Sequence, residues 1–349
     1  MPNGVFCPIF HYFYPMRISA SIYSDKKRDL QTTIADLVAH KVDLLHVDCN
    51  DDLNVFNDIR NIRTWCNIPI DLHIITTQPE KYFDLLREVP VEYVTFQLED
   101  LTAPLDLPSD ITGKRGLAIT TPTSIAEFDA YNSFDFLLLM ATVPGQSGGV
   151  FDATNFKKIR DFQHKYPNKS VHVDGGVNGE VSFILRNMGV HTSVSGSYLF
   201  NAPSIGHALM DLTKREVDSQ FKVRDFMIPL SESPTISLAD ATFTSVLQSI
   251  ESGNLGFTLV IDQSTKLIGL VSNADARKAL LKFGAATFQA SVSEYMNERP
   301  VSLNESATVN ELLALIKRCS FPILYLPVVN DANEAQGIIT FVNLIKGEL

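Results

Sequence analysis

Cysteine is sparse in this chain of 349 residues: Cys7, Cys49, Cys66 and Cys319 make four, none in Cys-x-x-Cys spacing. Such a set does not staple a small secreted fold, and it fits a reducing compartment. Basic charge is also short, with 29 Lys and Arg against 40 Asp and Glu and a formal net charge of -11. No basic cluster offsets it, so the surface would repel nucleic acid and anionic lipid headgroups, and neither is expected as a partner. Long apolar runs are missing as well. The densest, Phe136 to Met140, has the length of a strand, far below the roughly eighteen residues of a membrane-spanning helix. The first fifteen residues hold no Lys or Arg and mix Pro, His and aromatics, unlike a secretory signal, so a cytoplasmic location is expected. Met16 stands directly before the first strand-like run; residues 1–15 are read as an extension or an upstream start and receive no functional assignment.

What is present is enough apolar material for more than one core: 45% of the residues are hydrophobic and 20% charged, in a chain long enough for two or three domains. From Arg17 to about Ser197, short β-rich runs alternate with amphipathic stretches. The runs are Ile18–Ile22, Leu44–Asp48, Ile70–Ile75, Tyr93–Gln97, Arg115–Ile119, Phe136–Thr142, Val171–Asp174 and Thr192–Ser195. Eight such units predict a (β/α)8 TIM barrel over 16–215, and a doubly wound sheet would usually stop earlier.

A barrel of this kind keeps its chemistry at the carboxyl ends of the strands. His46 and Asp48 end the second run on one face, His73 follows Asp71 in the third, and Asp174 ends the seventh before Gly175-Gly176. Two imidazoles and two carboxylates therefore converge on one mouth. This mixed N and O set suits one divalent metal ion, zinc, manganese, iron or cobalt rather than calcium. His40, His164, His172, His191 and His207 lack comparable neighbours and are read as structural. Glycines crowd the last three strand ends: Gly145-Gln146-Ser147-Gly148 after the sixth, Gly175-Gly176 after the seventh, and Gly196-Ser197 after the eighth. Loops there commonly hold a phosphate on bare backbone N–H groups, so a phosphorylated small molecule is the expected ligand.

Ser19-Ala-Ser-Ile-Tyr-Ser24, His46-Val-Asp48, Asp71-Leu-His73, Leu138-Leu-Met-Ala-Thr-Val-Pro-Gly145, Asp174-Gly-Gly-Val-Asn178 and Ser195-Gly-Ser197 resemble, in order and spacing, the motifs of the ribulose-phosphate 3-epimerase family. The resemblance covers about Arg17 to Thr213. It implies an isomerase that inverts C3 of a ketose phosphate, with D-ribulose 5-phosphate to D-xylulose 5-phosphate as the leading case. It further implies a divalent metal on His46, Asp48, His73 and Asp174, and Asp48 and Asp174 as the two acid/base groups. Ser21, His73 and Met140 would line the sugar pocket, and Gly145, Gln146, Ser147, Gly148, Gly175, Gly176, Gly196 and Ser197 would hold the phosphate end. The chain departs from the family pattern at Asn50 and Asp52, at Ile75 in place of a pocket methionine, at Gln97 in place of a histidine and at Ser147 in place of a glycine. These changes alter the pocket and leave the metal set whole. A hexulose 6-phosphate epimerase and a non-catalytic sugar-phosphate sensor are the alternatives.

The remaining third repeats itself. Val223-Arg-Asp-Phe-Met227 corresponds to Val292-Ser-Glu-Tyr-Met296, Gly269 to Gly337 and Ser272 to Thr340, the last two at 337 − 269 = 68 and 340 − 272 = 68. Both copies, at 220–285 and 290–349, resemble CBS domains, and the first is similar to those of arabinose-5-phosphate isomerases. The resemblance implies a regulatory pair, an adenine nucleotide near Ser272 and Asp275, and a homo-oligomer. The second copy carries Asn343 where the first carries Asp275, so at most one site has the full Ser/Asp set.

Overall fold

Eight strands pair in parallel, each with the next in sequence, and the last closes on the first: β1 (Arg17–Ser21), β2 (Leu44–Asn50), β3 (Ile70–Ile75), β4 (Tyr93–Gln97), β5 (Lys114–Thr120), β6 (Phe136–Met140), β7 (Ser170–Asp174) and β8 (Thr192–Ser195). Closure is made by Arg17 beside Thr192 through Ala20 beside Ser195. The structure, a computed structural model, describes residues 16–142, 148–214, 219–319 and 323–341. They divide into two compact units, one reaching Lys214 and the other starting at Ser219.

The strands read as apolar runs because a parallel sheet inside a barrel is covered on both faces; all five residues of β6 are buried. Outer helices bury one stripe each. The helix Val55–Trp65 turns Val55, Phe56, Ile59 and Ile62 inward, and the helix Leu30–Ala39 starts where the Asp29 side chain accepts the Thr32 N–H. β2 and β5 run one or two residues beyond the sequence reading, and β1, β5 and β7 begin one residue earlier, whereas two strands stop short of it. β6 stops at Met140, the last residue to find a partner on β7, and the Ala141 N–H then donates to the Asp174 carbonyl at 2.7 Å. β1 stops at Ser21, and Ile22 opens a 3-10 turn over Ile22–Ser24.

The barrel interior is two-sided. Ala118, Phe136, Leu138 and Met140 form an apolar cluster with Tyr93 against it. Ser19, His46, Asp71 and His73, by contrast, make buried polar structure from β1 to β3. The polar half is where the chemistry collects.

The second unit holds two three-strand motifs of the same design. β10 (Thr235–Ser237), β11 (Phe257–Ile261) and β12 (Leu267–Ser272) make one sheet; β13 (Leu303–Asn304), β14 (Tyr325–Val329) and β15 (Ala335–Thr340) make the other. The copies agree in detail. The antiparallel pair slips register between Val260 and Ile261 and again between Val328 and Val329 (328 − 260 = 68). Their hairpins turn through positive φ at Thr265 (60°) and Asn333 (61°), again 68 apart. The copies also exchange edges. β9 (Ile228–Pro229), which leads into the first copy, pairs with β15 of the second, while Asn297, which leads into the second, bridges to Leu270 of the first. Between the sheets lies a shared core of Phe257, Leu259, Leu267, Leu270, Val329, Ala335 and Ile338.

Candidate active site

Period-two alternation turns His46 and Asp48 of β2 to the same side, and pairing with β3 sets Asp71 beside His46 and His73 beside Asp48. Asp174 comes in from β7. The His46 Nε2 atom lies 3.3 Å from Asp48 Oδ1 and 3.5 Å from Asp174 Oδ2, and His73 Nδ1 lies 3.6 Å from Asp48 Oδ1. One ligand atom from each of His46, Asp48, His73 and Asp174 falls within 4.8 Å of all the others. Both imidazoles are fully buried, while the two carboxylates keep 19% and 17% of their side-chain surface, so the cluster opens only on its acid side.

The charges fit a cation in the centre. Burial disfavours a charged His46, but Asp48 and Asp71 outweigh it and raise its pKa well above the usual imidazole value. Burial also pushes Asp48 up, and His46 with His73 more than reverses that, leaving its carboxyl far below the ordinary range. For Asp174, burial raises the pKa, His46 pulls it back and the Asp48 charge adds to the rise, giving about 6. His73 Nδ1 faces this cluster with no hydrogen-bond partner among the described residues. A buried ring nitrogen without a partner, beside two carboxylates, suits a divalent metal.

Around this centre, Ser21 Oγ donates to Asp48 Oδ2 at 3.4 Å and Met140 is buried at the end of β6. Gly175 and Gly176 have φ of 102° and 68°, and a Cβ on them would strike Thr142 and the Phe151 backbone, so the β7 loop lies against the segment after β6. A Cβ on Gly148 would sit 3.8 Å from Ser197 Oγ, which brings the loops after β6 and β8 together. Gly196 packs against Ser24. Gly145, Gln146 and Ser147 lie outside the described residues, as does Asn343.

Asp71, quoted in a motif but given no role from sequence, is 1% exposed and sits behind the site. Its Oδ2 lies 2.9 Å from His46 Nδ1 and accepts from Ser19 Oγ at 3.0 Å. Burial raises its pKa, but the contact with His46 outweighs it and keeps the carboxyl below its ordinary value. With Nδ1–H donated to Asp71, His46 turns Nε2 to the centre, the arrangement usual behind a metal-bound histidine. The histidines read as structural lie elsewhere. His172 stacks between Phe136 and His191 at 4.1 and 5.2 Å, and His40 and His207 pair with Asp36 and Asp211 on their own helices.

Residues 17–200 match the model of the ribulose-phosphate 3-epimerase family. The chain belongs to that family. It is similar to the cytoplasmic isoform of ribulose-phosphate 3-epimerase from Oryza sativa subsp. japonica, 27% identical over 220 residues that cover 59% of this chain and 96% of the relative. It is also similar to the ribulose-phosphate 3-epimerase of Bacillus subtilis (strain 168), 23% identical over 213 residues, 56% of this chain and 98% of the relative. The epimerase-family barrel is thus an isomerase of sugar phosphates, fused to a tandem CBS pair. Residues 292–348 match the CBS domain model, and the first copy repeats that fold. Among solved structures, the CBS-pair protein CBSX2 from Arabidopsis thaliana is 23% identical with a TM-score of 0.32, covering 37% of this chain and 95% of that one. No helix among the described residues is long and apolar enough to cross a membrane.

In the C-terminal unit, Ser272 and Asp275 stand where β12 passes into the helix Asn273–Phe283. They answer each other: Ser272 Oγ donates to Asp275 Oδ2 at 2.6 Å, the Ser272 N–H donates to the same oxygen at 3.1 Å, and the Asp275 N–H donates to Ser272 Oγ at 3.2 Å. This is a complete capping box.

Proposed function

We propose that the barrel interconverts the C3 epimers of a ketose phosphate, with D-ribulose 5-phosphate and D-xylulose 5-phosphate as the leading pair. The observation that carries this is the convergence of His46, Asp48, His73 and Asp174 within 4.8 Å. It places two carboxylates from different strands at one centre, in a chain whose relatives are named for that reaction. A divalent ion on these four residues, zinc, manganese, iron or cobalt, supplies Lewis-acid stabilisation of negative charge on the sugar oxygens when bound.

The residues do the rest. One of Asp48 and Asp174 removes the proton from C3 and the other delivers a proton to the opposite face. A lone carboxylate would return the proton it took, so inversion requires the pair. Ser21 steadies Asp48 through its hydroxyl, and Met140 and His73 bound the sugar. Backbone N–H groups of Gly145, Gln146, Ser147, Gly148, Gly175, Gly176, Gly196 and Ser197 hold the phosphate end. The catalytic domain spans 16–215 and the CBS copies 220–285 and 290–349. The pair senses an adenine nucleotide near Ser272 and Asp275, and the chain assembles as a homo-oligomer.

Proton NMR in deuterated water with ribulose 5-phosphate and a panel of ketohexose 6-phosphates tests the reading. Exchange at C3 of ribulose 5-phosphate with appearance of the epimer is expected. Exchange only with a hexulose 6-phosphate transfers the reaction to that substrate. With metal bound, exchange with none points to a sugar-phosphate sensor.

A further inference from the structure

The two nitrogens of His73 meet different neighbours. Nε2 lies 2.9 Å from Gln97 Oε1 across the β3–β4 pair, while Nδ1 faces Asp48 at 3.6 Å with no hydrogen bond among the described residues. An imidazole and an amide can each donate or accept, so this pair alone leaves the direction open. Glu99 closes it. Its Oε2 is 2.5 Å from Gln97 Nε2, and a carboxylate only accepts, so Gln97 must turn its NH2 to Glu99 and its oxygen to His73. Glu99 is itself held: Oε1 accepts from the Thr120 N–H and Thr120 Oγ1, each at 2.8 Å, and from Thr123 Oγ1. Burial works against its charge, but these hydrogen bonds keep its carboxyl below the ordinary value.

We propose that Gln97, oriented by Glu99, is a positioning residue that fixes His73 as the Nε2–H tautomer and thereby aims the Nδ1 lone pair at the metal centre. The inference rests on the reading of His73 as a ligand. His46 is served by Asp71 in direct contact, whereas His73 is served through a neutral amide. Asp48, Asp71 and Asp174 already gather here, so the amide gives His73 an acceptor without setting a further negative charge against it. Gln97 links His73 to Glu99 because its side chain accepts at one end and donates at the other.

The test uses the full chain labelled with 15N-histidine. Long-range 15N–1H NMR on the metal-free wild type is expected to show His73 protonated at Nε2 and bare at Nδ1. Gln97→Met, close in shape but unable to accept, is expected to release the tautomer and to weaken zinc binding about 10- to 100-fold in competition with a chromophoric chelator. Glu99→Gln, which frees the amide to flip, is expected to do the same more weakly, and it serves as the variant if Gln97→Met does not fold. A wild type with the proton on Nδ1 overturns the proposal. So does a folded Gln97→Met with the wild-type tautomer and zinc affinity within about twofold. If the wild type binds no zinc yet shows the expected tautomer, and Gln97→Met releases it, the metal reading fails while the relay stands.

Discussion

At the mouth of the barrel and at the start of the helix Asn273–Phe283, a few polar side chains gather at a strand end, and the two places spend their hydrogen bonds in opposite ways. Ser272 and Asp275 satisfy each other and the backbone of the first turn. His46, Asp48, His73 and Asp174 are less self-contained: partners behind the site occupy the outer nitrogens of both imidazoles, ligand atoms of all four gather within 4.8 Å, and His73 Nδ1 finds no hydrogen bond among the described residues. A motif that closes on itself explains its own residues without a ligand. A cluster braced from behind, with a buried ring nitrogen left open in front, fits one.

The largest effect that would break this contrast lies with the carboxylates. Asp48→Asn and Asp174→Asn are each expected to lower kcat/KM for epimerisation by about 10³-fold or more, followed by NMR with metal content measured on the same samples. A variant that keeps its metal and exchanges the C3 proton without inverting the centre would assign the two faces; either variant working at the wild-type rate removes the two-base role.

Next comes the proton on Asp174. Its folded pKa of about 6 lies above the ordinary 3.8, so the metal-free fold favours the protonated acid, and that preference is lost as pH rises through about 6. From about pH 4 to about pH 7.5, urea unfolding of chelated protein should shift the stability difference toward Asp174→Asn by roughly 2–3 kcal/mol. Saturating metal, which binds the carboxylate, should abolish that pH dependence.

At the other place the expected numbers are smaller. Asp275→Ala removes one side of the capping box and should destabilise the C-terminal unit by about 1 kcal/mol. If the pair binds an adenine nucleotide there, the same change also removes the rise in Tm on adding it, with barrel metal content untouched. Loss of stability with no nucleotide effect in the wild type would leave Ser272 and Asp275 as a cap alone. Smallest of all, deleting residues from Val223 onward should leave metal stoichiometry unchanged, because all eight barrel strands pair among themselves. Elemental analysis of the truncated chain checks it.

Much of this was legible in the residues. Eight β-rich runs gave the barrel, the spacing of two between His46 and Asp48 gave their shared face, and the 68-residue offset gave the duplication. Three things were not. Gln97 reaches His73 across paired strands, and Glu99 reaches Thr120 and Thr123 from beyond β4, contacts that no single run encodes. The ends of β1 and β6 depend on where a neighbouring strand stops offering partners. Ser272-x-x-Asp275 was visible but double-valued, since a helix cap and a ribose site use the same residue types.

The exchanged edges of the C-terminal unit bear on how such a module is inherited. Because β9 completes the sheet of the second copy and Asn297 bridges back to the first, neither half is whole alone. A gene broken between the copies would yield two fragments, each with an unpaired sheet margin and half of the core around Phe257 and Ile338 exposed, surfaces prone to aggregation. Transfer of this module to another enzyme is therefore expected to need both copies together, because each supplies the other with a sheet edge and half of the core.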